Sequence, residues 1–409
     1  MLPNILKLNC YLLLCLLLAC GSQESSVDDA ALALNIPELL PRPAKLQQTL
    51  EWDKTQSGYM QMSSKLRLED PLAIKPRITL AQIFANEARV TGEHGHYYPA
   101  ALQMVNEALD INKGLDPHLE FEALSTKASL LLSQHDFSEA LTVAKRAITL
   151  NPHNAQIYGA LVDAQVELGD YEAAVASADK MTRIRPDLRS YSRVSYLREI
   201  HGDIPGAIEA MEMAVTAGYP GYESTAWARL TLAEIHHRYG DPEAAELEYR
   251  KILAEREDYP FAIAGLAQLA MDRGDYQEAE KLLHEAKSII PEVGFYEQLA
   301  EIYAATDRKA ELAAIQEEIL VMLQDDVDSG HNMNLEYAAF YRDLVQDYDK
   351  ALEYAKREYD KRPANIDVNL MMGSLLVARG EKTAAAPYLE AATVTASKNP
   401  ELTNLLAMQ

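Results

Sequence analysis

A turn that returns at near-constant spacing constrains this chain more than any other feature. Between Ala155 and Leu188 two short amphipathic stretches flank Gly169-Asp170-Tyr171, and Pro186 closes the unit. The acidic or polar residue of successive turns falls at His96, Asp136, Asp170, Asp203, Asp241, Asp275, Arg308, Asp347 and Glu381, at intervals of 40, 34, 33, 38, 34, 33, 39 and 34. Self-similarity at this period predicts helical hairpins that each pack on their neighbours. A chain of 409 residues would otherwise divide into separate globular cores.

Other columns hold the same register. Four residues after the landmark stand Ala100, Ala140, Ala174, Ala207, Ala245, Ala279, Leu312, Ala351 and Ala385. Eight residues before it stand Ala88, Ala128, Val162, Ser195, Ala233, Ala267, Ala300, Ala339 and Gly373. Small side chains at both places let paired helices approach closely. Gly95, Gly169, Gly202, Gly240, Gly274 and Gly380 offer the left-handed conformation that ends a first helix. The Asp that follows caps the second helix, which Pro152, Pro186, Pro291 and Pro363 stop. No alternating Val/Ile run argues for a sheet, so the expected class is all-α.

This pattern resembles the tetratricopeptide repeat family over about residues 77–398. The resemblance implies a right-handed superhelix, an α-solenoid of about eight to nine hairpins. The long intervals imply insertions near 109–118, 216–224 and 324–332, and the repeat at Arg308 lacks both the turn Gly and the small residue after it. In that family the first helix of each repeat lines a concave groove. Carried over, the groove shows Gln156, Asp163, Arg189, Ser192, Tyr196, Trp227, Glu234, His237, Arg238, Phe261 and Gln268. Tyr196, Trp227 and Phe261 between Arg189 and Arg238 either form an interface hot spot or pack between repeats. The paired Lys and Asn with which some members grip a peptide carboxylate are missing, since Ser125 and Ser129, or Gly159 and Asp163, hold those positions.

The amino terminus reads as an export signal. Lys7 precedes an apolar run from Cys10 to Ala19. Ten helical residues span about 15 Å, half of a hydrocarbon core of roughly 30 Å, so the run fits a signal rather than a membrane span. Leu17-Leu18-Ala19-Cys20-Gly21 resembles the lipobox of bacterial lipoproteins, which implies cleavage before Cys20 and its acylation, palmitate included. Gly21 and Ser22 do not match the Asp that retains such lipoproteins at the inner membrane, so the expected location is the periplasmic side of the outer membrane. The expected organisation is a signal peptide over 1–19, lipidated Cys20 with a flexible tether over 20–45, an irregular cap over 46–76, the array over 77–398 and a tail over 399–409.

Chemistry finds little support. A net charge of −24 repels phosphate backbones and argues against nucleic acid. All three cysteines lie in the first 20 residues, so no disulfide stabilises the array. Glu93-His94-Gly95-His96 lacks further metal ligands in sequence, His236-His237 faces two ways, and His284-Glu285 lacks a second His. Asp325-Asp326-Val327-Asp328-Ser329-Gly330 puts Val where a calcium loop needs oxygen. Neither phosphate loops nor a Gly-x-Ser-x-Gly elbow occurs. The expectation is a non-catalytic scaffold without cofactor or metal. It would hold proteins or peptides in its groove and touch the membrane through lipid alone. The competing reading is an accessory or metal-carrier subunit of a secreted enzyme, with the His94 loop as the carrier site.

Overall fold

The computed structural model describes residues 34–47 and 49–408. The signal, Cys20 and the tether up to residue 33 lie outside the described residues. Helix α1 (Thr49–Ser64) ends in a π-helical turn at Lys65–Glu69 and precedes nine hairpins. These pair α2 (Ile74–Thr91) with α3 (His94–Asn112), α4 (Pro117–Ser133) with α5 (Phe137–Leu150), and α6 (Ala155–Glu167) with α7 (Tyr171–Ile184). Next come α8 (Leu188–Ile200) with α9 (Ile204–Ala217), α10 (Glu223–Arg238) with α11 (Pro242–Glu255), and α12 (Pro260–Asp272) with α13 (Tyr276–Lys287). The last three pair α14 (Val293–Ala305) with α15 (Lys309–Asp328), α16 (Asn334–Ala339, then a π turn to Val345) with α17 (Tyr348–Lys361), and α18 (Ile366–Ala378) with α19 (Lys382–Ala392). Helix α20 (Pro400–Ala407) follows, and no strand occurs among the described residues.

The repeated residues do what their chemistry requires. Side chains of Asp136, Asp170, Asp203, Asp241, Asp275 and Asp347 each accept from a backbone N–H three residues on. Each such cap contributes about 1 kcal/mol. The eight alanines after the turns are buried, and a Cβ at Gly373 would stand 2.4 Å from Leu389. Where Gly is missing, His135, Asp307 and Gln346 take the left-handed conformation instead. The hairpin at Arg308 therefore forms, with Arg308 stacked on Tyr303 at 4.4 Å and paired to Glu280 at 2.7 Å. One landmark is displaced: Gly92 makes the first left-handed turn, Glu93 takes the N-cap position of α3 without a side-chain bond, and Gly95 and His96 lie inside that helix.

The coil closes on itself within the array. Turns of early hairpins pack on the loops that precede hairpins about six units later. Asn332 N–H donates to Gln134 O at 3.0 Å, and Gln134 Nε2 donates to Ser329 O at 3.1 Å. One hairpin on, Arg362 pairs with Glu167 and lies over the Phe137 ring at 4.6 Å, while Asn365 Nδ2 donates to Glu167 O at 3.1 Å. A Cβ on Gly169 would meet Ala364 at 2.5 Å, and one on Gly202 would meet Ala396 O at 2.5 Å. Only glycine admits an approach that close at a positive φ.

The N-terminal region is docked from residue 34 onward, which shortens the expected tether of 20–45. Arg42 binds Glu87 through two hydrogen bonds of 2.7 and 2.6 Å with both side chains buried, and its guanidinium lies 5.1 Å from the Trp52 ring. Leu40 N–H donates to the Tyr97 hydroxyl at 3.0 Å, and Tyr59 donates to Pro37 O at 3.0 Å. Helix α1 continues the stacking: Glu51 accepts from Glu223 N–H at 3.0 Å and from Arg256 at 2.9 Å. The expected tail over 399–409 is instead helix α20, held by buried Leu402.

Candidate functional site

The first helix of each hairpin presents a stripe of residues three or four apart, and these stripes form the inner wall of the coil. On α8 the stripe is Arg189, Arg193 and Tyr196, on α10 it is Glu223, Trp227, Glu234 and Arg238, and on α14 it is Val293, Glu297 and Glu301. Hairpins from different turns look at one another across this space. Arg89 of the first hairpin lies 3.8 Å from Glu223 of the fifth and acts on the charge of Arg189. The charges acting on Tyr196 come from Asp367 and Glu167, which meet at the closure.

Tyr196 keeps 39% of its surface exposed, yet burial raises its phenol well above the usual value. The ring is thus open to solvent in part, while the helices around it disfavour its phenolate. Trp227 is 44% exposed. Phe261 departs from the expected aromatic set: it packs between repeats, 5.7 Å from both Tyr259 and Phe295. An aromatic at the start of α12 meets the previous inter-repeat loop, so Phe261 packs between repeats, while Tyr196 and Trp227 keep much of their surface exposed.

A ladder of pairs joins neighbouring first helices. Arg193 bonds Asp163 at 2.8 and 2.5 Å and lies against Gly159, whose missing side chain leaves it room. Arg238 pairs with Glu199, His237 Nε2 meets Asp272 Oδ2 at 2.5 Å, and Gln268 donates to Asp272 at 3.1 Å. Arg238 and His237, expected to face a ligand, thus also tie repeats together, whereas Gln268 bonds Asp272 within its own helix. Burial opposes charge on Arg238, but Glu199 outweighs it and raises its pKa. Arg189 is lowered by burial and by Arg193 beside it. Ser192 bonds Leu188 O at 2.6 Å, so its hydroxyl stays on its own helix.

The acidic character of the wall is its least expected property. Burial raises Glu234, Glu301, Glu167 and Asp367. Glu297 is pushed up to about 7 by burial, then by Glu301, Glu336 and Asp343. The four-residue spacing of Glu297 and Glu301 on a first helix was readable, but Glu336 and Asp343 join them only through the next hairpin.

The two His/Asp stretches weighed for metals converge on one cleft of about 610 Å³, lined by His94, His96, Glu292, Asp325 and Asp326 among others. They do not converge as ligands. His94 Nδ1 is 3.5 Å from Asp326, while His96 Nε2 bonds Glu38 O at 2.8 Å. Asp325 to Asp328 belong to α15, whose geometry fans their side chains around an axis. Among the described residues no three His, Cys, Asp or Glu side chains are arranged to hold a metal ion.

Residues 131–198 and 238–292 match the tetratricopeptide repeat family model. These two stretches of the array are similar to tetratricopeptide repeats. Such repeats act as protein-interaction scaffolds, and the solenoid of nine hairpins is the architecture that positions the wall just described. Solved structures align with the chain at low identity. PilW, a type IV pilus biogenesis factor, is 16% identical, with 49% of this chain and 92% of PilW covered at a TM-score of 0.41. A tetratricopeptide repeat protein of Parabacteroides merdae is 17% identical, covering 71% and 98% at a TM-score of 0.36. A monomeric mutant of IFIT1 with Gppp-AAAA is 12% identical, covering 90% and 99% at a TM-score of 0.46. No curated protein matches the sequence.

Proposed function

We propose that this tetratricopeptide repeat protein is a lipid-anchored scaffold on the periplasmic side of the outer membrane. Cys20 carries the acyl chains, and the inner wall recruits protein partners into an envelope assembly such as pilus, exopolysaccharide-export or cell-wall machinery. The single observation that carries the recruiting role is the exposed pair Tyr196 and Trp227 on the charged wall. Large amphipathic rings with water still on them lose that water when a partner arrives, which is how interface anchors gain affinity. The lipobox-like end of the signal supports the anchor, since several acyl chains hold a protein at a membrane durably. The metal-carrier reading has no comparable support, because His94 and His96 bond in different directions.

Crosslinking in intact cells, with partners identified by mass spectrometry, tests the wall. Trp227→Ala and Tyr196→Ala should each reduce capture at least several-fold while leaving the fold intact. Undiminished capture by both variants rejects the inner wall as the docking surface. Cys20→Ser should move the protein from the membrane fraction to the soluble periplasm, and retention at the membrane rejects the anchor.

A further inference from the structure

Arginines from three hairpins meet where α8 begins. Arg189 and Arg193 stand four residues apart on one face of α8, and Arg193 Nη1 donates to Arg189 O at 3.1 Å. Arg185 ends α7 just before them. The starts of α8 and α10 are adjacent, because a Cβ on Gly218 would touch both Leu188 and Thr225, at 2.9 and 2.3 Å. Arg89 reaches the same place from the first hairpin and lies 3.8 Å from Glu223 at the start of α10. Trp227, 44% exposed, follows Glu223 by four residues on the same face.

Most of these guanidinium groups have carboxylates beside them. Arg193 bonds Asp163, Arg185 pairs with Asp187 at 2.8 Å, and Arg89 approaches Glu223 beyond hydrogen-bond distance with 54% of its side chain exposed. Arg189 differs. Among the described residues no side chain bonds its guanidinium, although burial and then Arg193, Arg89 and Arg185 all disfavour its charge. The chain carries 62 Asp and Glu against 38 Lys and Arg, so carboxylates are plentiful and this cation still goes without one. A guanidinium fork meets a carboxylate through two parallel hydrogen bonds.

We propose that Arg89, Arg189 and Arg193, beside Trp227, receive a short acidic segment of the protein partner. The guanidinium groups bind its Asp or Glu carboxylates, and the Trp227 ring covers an apolar side chain next to them. The inference rests on the reading of the inner wall as the docking surface. It is not the Lys and Asn grip, whose positions hold Ser, Gly and Asp here, because Arg89 comes from another turn of the coil. Closure of the coil therefore assembles the site. The acidic stretch is short because the rest of the wall, with Glu234, Glu297 and Glu301, repels a longer polyanion.

Fluorescence anisotropy on the full-length chain carrying Cys20→Ser tests this with two labelled dodecapeptides, one alternating Asp with Gly and one alternating Lys with Gly. The acidic peptide should bind at least ten-fold more tightly than the basic one. Raising salt from about 0.05 to 0.5 M should weaken it. Arg189→Gln and Arg89→Gln should each weaken it at least five-fold with unchanged helical circular dichroism. Arg189→Lys keeps the charge and should lose less than Arg189→Gln. Arg146→Gln, on the second helix α5, should leave binding unchanged. No binding of the acidic peptide at about 1 mM overturns the proposal. So do a preference for the basic peptide and arginine variants that bind like the wild type. Glu24→Gln with Asp28→Asn and Asp29→Asn tests for an occupant within the chain: acidic-peptide binding that tightens at least ten-fold assigns the site to that segment and overturns a partner there. Capture in cells that falls with Trp227→Ala but not with Arg189→Gln keeps the wall as docking surface and overturns the acidic segment alone.

Discussion

The backbone N–H of Ile366 donates to the hydroxyl of Tyr171 at 2.8 Å, joining residues 195 apart in the chain. Tyr171 opens the second helix of the third hairpin and Ile366 the first helix of the ninth. The bond is buried and lies beside the Arg362–Glu167 pair. A tetratricopeptide array needs contacts only between neighbours, so these distant ones set the pitch of the coil and enclose the inner wall.

Gly169→Ala should be clearly more destabilising than Gly274→Ala. Both sites have positive φ, +82° and +76°, and share a strain of roughly 1–2 kcal/mol. At Gly169 the new Cβ also strikes Ala364, whereas at Gly274 it meets open space. Urea unfolding of the two variants compares the totals, and hydrogen exchange at Asn365 and Ile366 reports whether the closure loosens only in the first.

Arg362→Met should cost about 3–5 kcal/mol, because it strands a buried carboxylate. Glu358 is 1% exposed and accepts from Arg362, Asn332 and Asn334. Burial alone would raise Glu358, but these donors outweigh it and hold its pKa below the usual value. A depressed carboxylate contributes stability above its unfolded pKa and loses it as pH falls through the folded one. The difference in stability between wild type and variant should therefore narrow in acid, measured by thermal unfolding between pH 7 and pH 3.

Glu297→Gln should stabilise the protein above neutrality. In the fold its carboxyl sits at about 7, against 4.5 when free. Between those values the folded state holds a proton that the unfolded state has released, so stability falls as pH rises toward 7 and the full cost persists above it. Solvent in the coil screens the repulsion, leaving a gain on the order of 1 kcal/mol at pH 8. A melting-temperature profile that keeps the same slope in the variant assigns the titration to another group.

Arg42→Met should release the N-terminal segment. Glu87 is fully buried and would lose both guanidinium bonds, a loss of about 3–5 kcal/mol in local stability. Limited proteolysis should then cut within residues 34–47 well before it cuts the hairpins. Arg42→Met combined with Glu87→Met should recover much of the loss, since the two substitutions leave no orphaned charge.

The sequence by itself determined the unit. Spacing, turn glycines, capping aspartates and small residues act within about forty positions, and local chemistry suffices to say that helical hairpins stack. Which face of each first helix looks inward came only with the resemblance to a repeat family, and Tyr196 and Trp227, named on that ground, keep much of their surface exposed. Only the tertiary structure decided that the coil closes after about six hairpins, that Phe261 turns into the packing, and that residues 34–47 dock. Those outcomes depend on small rotations between successive hairpins that accumulate around the coil. Arg362 and Glu167 carry no mark in the chain that they will meet, because their meeting is a sum over every hairpin between them.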